Sequence, residues 1–193
     1  MSALTVAIIA GLGLQSWRKQ LKGKTEYELA QKYLKAAYKI REALARVRNP
    51  ILSAAETYEA MKETNIQGNP VTDPKVQTRC EAAVYQRRWQ KVQEAFLDLD
   101  SISLEAEAFW GKGVKDNLKP LRQCGSILMG NIELHFRQKE KPPREYDSEA
   151  EKKRESIIYS FPDDPSDNPF SNEITNAVNL IEDFIRPRLK LYQ

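Results

Sequence analysis

The sequence predicts an all-α protein: an antiparallel helical bundle with long helices, preceded by a short apolar N-terminal helix. Three observations predict it. Apolar residues recur every three or four positions over four long stretches, which is the period of a helix with one buried face. Helix-starting residues precede several of those stretches. Hydrophobic residues make up 41% and charged residues 30% of the chain, with eight glycines and ten prolines, a composition that folds around a core. Its 193 residues are enough for one such core without disulfides or a structural metal.

The first element is the apolar run ALTVAIIAGLGL, residues 3–14, which carries no charge. Counted to Trp17, seventeen residues of helix reach roughly 25 Å, the lower edge of what crosses a hydrocarbon core of about 30 Å. Trp17 suits the interface, and Arg18, Lys19, Lys22 and Lys24 form the basic flank found on the cytosolic side. The expectation is an anchor over residues 1–22 in the inner (cytoplasmic) membrane, N-terminus out, with residues 23–193 as one cytosolic domain and membrane lipid as a partner. A cleaved signal peptide fits worse, because its charges should precede the apolar run. A buried or partner-facing apolar helix competes with the anchor.

Thr25 and Glu28 have the spacing of a capping box, so a helix is expected to start there. Tyr27, Ala30, Leu34, Ala37, Ile40, Leu44 and Val47 make its apolar stripe, and Asn49–Pro50 ends it. Ser53 and Glu56 repeat the capping box and open a short helix to about residue 62. After the loop NIQGNP, Asp73–Pro74 offers a cap and a first-turn proline for a long helix over 74–110, bearing Tyr85, Trp89, Val92, Phe96, Leu99, Ile102, Ala106 and Phe109. Val114, Leu118, Leu121, Leu128, Ile132 and Phe136 mark another, which Pro120 either starts or kinks. Residues 139–147 read as an exposed connection, Ser148 as the cap of a short charged helix, and IIYSF, residues 157–161, as strand-like. Asn168–Pro169 starts the last helix, expected to run to Arg186–Pro187.

Charge is unevenly placed. Ten Lys or Arg stand against three Glu between Trp17 and Arg48, in a chain of net charge +3. The face with Lys35, Lys39 and Arg41 is first a solvated face and second an anion or nucleic-acid surface; Arg87 and Arg88 beside Trp89 offer a phosphate or base contact of the same kind. Cys80 and Cys124 fit no zinc or redox spacing and read as reduced core residues. The single histidine, His135, stands eleven residues from Cys124, about 16 Å along one helix, too far for a catalytic dyad. Glu105 and Glu107 point to different helical faces. Asp163, Asp164 and Asp167 form turns rather than a calcium loop, whose glycine and terminal glutamate are absent. No phosphate loop, nucleophile elbow or metal set appears, so no cofactor is expected and the chain reads away from an enzyme.

Residues 16–50, the ending AEAFWG at 106–111 and IEDFIRPRL at 181–189 resemble a group of uncharacterised bacterial single-pass membrane proteins with a helical cytosolic domain. That resemblance implies a bacterial source and an anchor; it implies no activity and no catalytic residues. The expected function is a membrane-anchored module acting through protein contacts, as an adaptor, regulator or subunit with an unknown protein partner. Homo-oligomerisation through the apolar helix is a further expectation, with Gly11 and Gly13 permitting close approach. The rivals are a nucleic-acid-binding protein using the basic helix, and an enzyme of unfamiliar type with a site near His135.

Overall fold

The computed structural model describes residues 3–139, 148–160 and 168–190, and among them are six helices and no strand. They are α1 (Ala3–Val47), α2 (Ala54–Glu63), α3 (Pro74–Trp110), α4 (Gly113–Lys139), α5 (Ser148–Ile158) and α6 (Pro169–Lys190). The side chains of residues 3–14, which carry the expected anchor, lie outside the described residues, as do the connection 140–147 and the aspartates Asp163, Asp164 and Asp167.

Two capping signals act as their spacing demands. The Ser53 hydroxyl accepts the Glu56 N–H at 3.2 Å while the Glu56 carboxylate accepts the Ser53 N–H at 3.1 Å, closing the box that starts α2. Asp73 accepts the N–H groups of Lys75 and Val76 at 2.9 and 3.4 Å, with Pro74 in the first turn of α3 where its missing N–H costs nothing. Gly111, at φ 71°, closes α3 in a conformation a side chain resists, and α4 begins two residues later.

The third capping signal is overruled. No helix starts at Thr25: α1 runs through it, and its hydroxyl donates back to the Leu21 carbonyl at 3.0 Å. No proline interrupts residues 3–47, so the threonine meets a helix already formed and bonds to the preceding turn instead of capping a new one. The expected break between the apolar helix and the first body helix is therefore absent. Pro120 does not start α4, which begins at Gly113 and contains it. Helix α6 likewise passes Pro187 to reach Lys190, and the Arg188 guanidinium donates to the Phe184 carbonyl there. The apolar pair Ile157–Ile158 ends α5 rather than forming a strand, because Ile158, 1% exposed, has the core to fill and no strand to pair with.

Helices α1, α3, α4 and α6 form a four-helix bundle in which α1 and α4 each lie against both α3 and α6. Contacts at the two ends fix the directions. Arg88, early in α3, donates to the carbonyls of Asn49 and Ile51 just beyond α1. The Tyr33 hydroxyl, low on α1, donates to the Val114 carbonyl at the start of α4, at 3.2 Å. Lys139, at the end of α4, meets Glu81 near the start of α3 at 2.8 Å. Neighbouring helices thus run antiparallel. The buried face of α1 is broader than one stripe: Leu29, Tyr33, Ala36 and Ala43 join Ala30, Ala37, Ile40, Leu44 and Val47, while Tyr27 and Leu34 stay half-buried. Leu99, Leu121, Leu128 and Ile181 meet that face from the other three helices, each worth about 1.5–3 kcal/mol when removed from water.

Candidate functional site

A groove of about 1170 Å³ opens between α1, α2 and α3. One wall is a stripe of α1, Lys35, Lys39, Glu42 and Arg46; the facing wall is a stripe of α3, Arg87, Lys91, Glu94 and Asp98. Each stripe follows the helical spacing of three or four residues that puts side chains on one face. Ala43 and Ala95 lie along the floor, where their small side chains leave the space between the walls, and α2 closes one end with Glu56 and Glu59.

Four sequence-predicted residues, Lys35, Lys39, Arg87 and Arg88, therefore meet in one groove. Arg41 does not join them: it lies over the Tyr38 ring, 4.9 Å from its centroid, and pairs with Glu42 at 3.1 Å. The cations that do meet there are matched. Lys39 faces Asp98 at 3.5 Å, Arg87 pairs with Glu59 and Glu63, and Lys91 pairs with Glu94 at 2.9 Å. Lys35 and Arg46 meet no carboxylate among the described residues. Six cations face five carboxylates around the groove, so it is nearly neutral overall, unlike the one-signed surface that phosphate backbones select.

Arg88 has become structural. Its guanidinium holds the Glu56 carboxylate at 2.9 Å with two donors and the carbonyls of Asn49 and Ile51 with the rest, tying the linker after α1 and the start of α2 to α3. That charge-assisted fork, helped by the Ser53 N–H, holds the Glu56 carboxyl down to about 2.

Along the N-terminal half of α1, Trp17 is 58% and Leu21 51% exposed, four residues apart on one face. Arg18 is exposed, and Lys22 and Lys24 make only long, exposed pairs with Glu26 and Glu28, both at 3.8 Å. The side chain of Lys19 lies outside the described residues. Among the described residues no helix is long and apolar enough to cross a membrane.

His135 is half-buried on α4 and lines neither described groove. Its Nε2 lies 3.3 Å from the Tyr159 hydroxyl and its ring meets Phe136 edge-on; burial, then the Lys139 charge, push its pKa down. Cys124 and Cys80 are buried thiols whose pKa values burial raises, the opposite of a reactive thiolate. Among the described residues no cluster of His, Cys, Asp or Glu has the makings of a metal site.

Sequence reasoning passed over Arg48 except as one more positive charge. It is 2% exposed where α1 ends, and among the described residues every partner of its guanidinium is neutral. Nε donates to the Ile157 carbonyl at 2.8 Å, Nη1 to Ser171 Oγ at 2.7 Å, and Nη2 to the Ser156 and Tyr159 carbonyls and Asn168 Oδ1 at 3.0, 3.3 and 3.0 Å. The three carbonyls belong to the C-terminal end of α5, the negative pole of that helix, so a buried cation there has a dipole to answer it. Phe170 stacks beneath, 5.0 Å from centroid to guanidinium. Burial still pushes the Arg48 pKa down to about 10. This side chain clips α1, α5 and α6 together.

Comparisons with protein-family models, curated proteins and solved structures found no match to this chain.

Proposed function

We propose that this chain is a membrane-anchored helical module, fixed by the apolar start of α1 to the cytosolic face of the inner membrane, whose bundle works through protein–protein contacts. The observation that carries it is the course of α1. Leu29 is the first buried residue along it among those whose burial is described, and described residues 15–28 continue the same helix outward with no more than partial burial. At 1.5 Å per residue that extension is about 21 Å, with Ala3 a further 18 Å or so beyond Gln15. A lone helix in water lacks the tertiary packing that stabilises most protein helices, and here its far end is apolar in sequence. A bilayer supplies both an apolar surround and an interface for Trp17 and the basic flank. Anionic headgroups suit the exposed Arg18 and also Lys22 and Lys24, which Glu26 and Glu28 hold only at 3.8 Å.

The test compares the full chain with a version starting at Lys24, after cell fractionation and washing of membranes with high salt and then alkaline carbonate. The full chain is expected to resist both washes and the shortened chain to stay soluble. Release of the full chain by carbonate would reduce α1 to a peripheral contact, and a soluble full chain would remove the anchor altogether.

A further inference from the structure

Helix α3 turns an outer face to solvent that its charge pattern does not leave blank. Opposite its buried side, Gln86, Gln90, Gln93, Leu97, Ser101 and Leu104 follow one another at helical spacing, all exposed and none charged, over about 27 Å of helix. In a chain with 30% charged residues this line of six carries no charge, and two of its six side chains are exposed leucines. Leu97 and Leu104 are 68% and 67% exposed.

The line is flanked on one side by the ladder Arg87, Lys91, Glu94, Asp98, cationic at its N-terminal end and anionic at its C-terminal end. The ladder is symmetric in position and opposite in sign. Arg87 and Asp98 lie five and a half residues on either side of the point between Val92 and Gln93, and Lys91 and Glu94 lie one and a half residues on either side of it. On the other flank Trp89 and Phe96, both half-buried, are three and a half residues on either side of the same point. They border a second groove of about 500 Å³ whose α4 wall includes Gly125 and Gly130.

We infer that α3 pairs antiparallel with α3 of a second copy of this chain, about a two-fold axis crossing it between Val92 and Gln93. In an antiparallel helix pair related by such an axis, like flanks face each other, as the outer charge positions do in antiparallel coiled coils. Arg87 then meets Asp98 of the second copy, Lys91 meets Glu94, and Trp89 stacks toward Phe96, each twice. The Lys39–Asp98 and Lys91–Glu94 pairs within the chain are exposed, so exchanging them across the axis loses little, while Arg87 keeps Glu59 and Glu63 and gains Asp98 of the second copy as a further partner. The axis lies across α3, and α1 runs antiparallel to α3, so the two α1 helices leave the pair at opposite ends. Copies anchored as proposed above therefore join facing membranes; only this consequence rests on the anchor.

Sedimentation of the full chain in detergent micelles tests the pairing, because micelles satisfy the apolar start of α1 whether or not it spans a bilayer. The wild-type chain is expected to show a concentration-dependent dimer. Arg87→Glu with Lys91→Glu makes the ladder wholly acidic, and Glu94→Lys with Asp98→Lys makes it wholly basic. Each variant alone should dimerise about tenfold more weakly or worse, while their mixture should form a heterodimer tighter than either. Circular dichroism melting of each variant reports that it is folded. Should the ladder variants fail to fold, the exposed Gln93→Cys, at the axis, should oxidise to a covalent dimer, whereas Ala108→Cys, far from it, should not. A monomeric wild-type chain, homodimers indifferent to ladder charge, or equal cross-linking at both cysteines would overturn the pairing.

Discussion

Replacing Arg48 by methionine keeps an unbranched side chain of similar reach and deletes every donor. The loss can be worked through acceptor by acceptor. The Ile157 carbonyl has Arg48 Nε as its side-chain donor, and losing it leaves a part-buried acceptor without that donor, costing about 1–2 kcal/mol. The carbonyls of Ser156 and Tyr159 keep Asn168 Nδ2, at 2.8 and 3.4 Å, Asn168 Oδ1 keeps the Ser171 N–H at 3.1 Å, and Ser171 Oγ keeps Ser160 Oγ at 3.4 Å. Those four each lose a charge-assisted bond but not their last partner. Against these losses stands relief from burying a cation that meets no carboxylate among the described residues, itself several kcal/mol. The balance is a destabilisation of about 2–4 kcal/mol, measured as the shift in urea midpoint at unchanged slope. Lysine, with the charge but not the fork, should recover less than half of it, since one ammonium cannot replace donors that reach Ile157 and Ser171 from different edges of the planar guanidinium. Because the lost bonds converge on α5 and α6, hydrogen exchange should quicken in residues 148–158 before it does in α3. A methionine variant within 0.5 kcal/mol of wild type, or a lysine variant equal to it, would refute the claim that this fork holds the joint.

Three further outcomes follow from other contacts. Glu56 is held near 2 when folded and titrates near 4.5 when unfolded, so its contribution is complete above about pH 4.5 and is lost as pH falls toward 2; Glu56→Gln should flatten acid-induced unfolding in that window, and an unchanged acid limb would contradict the role given to the Arg88 fork. His135 has its pKa lowered by folding, so the unfolded chain takes up the proton first and stability should decline as pH drops below about 6.5, a decline that His135→Phe should remove in pH-dependent melting. Gly68, at φ 113°, would place a new Cβ 2.9 Å from the Val76 side chain, so Gly68→Ala should destabilise by about 1–2 kcal/mol in the same urea assay, while the exposed and unhindered Gly130→Ala should stabilise slightly.

Local signals were legible in the sequence and long-range ones were not. Ser53–Glu56 and Asp73–Pro74 act within one turn, so their spacing was sufficient to place the starts of α2 and α3. Thr25–Glu28 has the same spacing and fails, because a cap needs a helix beginning and here the helix was already running. Pro187 reads as a stop, yet Ile185 is buried and Leu189 packs against the core, and that packing carries α6 past it. Lys35, Lys39, Arg87 and Arg88 were visible as basic residues at helical spacing, but their meeting depends on α1 and α3 running antiparallel, and their matching depends on Asp98, Glu59 and Glu56 from separate elements. Arg48 was the least legible of all. Its acceptors are mainly backbone carbonyls and neutral side chains more than a hundred residues further along, which leave no mark in charge or hydropathy patterning.

The basic excess of the N-terminal third changes meaning once those pairings are known. Of its ten Lys and Arg, Arg48 is consumed inside the joint, Lys39 and Arg41 face carboxylates, and Lys22 and Lys24 keep only long ion pairs. Lys35 and Arg46, the unmatched cations of the groove, are eleven residues apart, about 16 Å along α1, too far to grip one phosphate. A polyanion threading the groove would also have to pass Glu42, Glu94 and Asp98 on its walls. Charge reversal at Lys35 should therefore leave weak low-salt binding of nucleic acid unchanged, whereas neutralising Arg18, Lys22 and Lys24 together should weaken binding to anionic vesicles by roughly 1 kcal/mol per residue removed. Vesicle flotation and a nucleic-acid titration on the same two variants separate the alternatives: a loss at Lys35 with no loss at the α1 flank would return the groove to the nucleic-acid class and take the flank out of the membrane proposal.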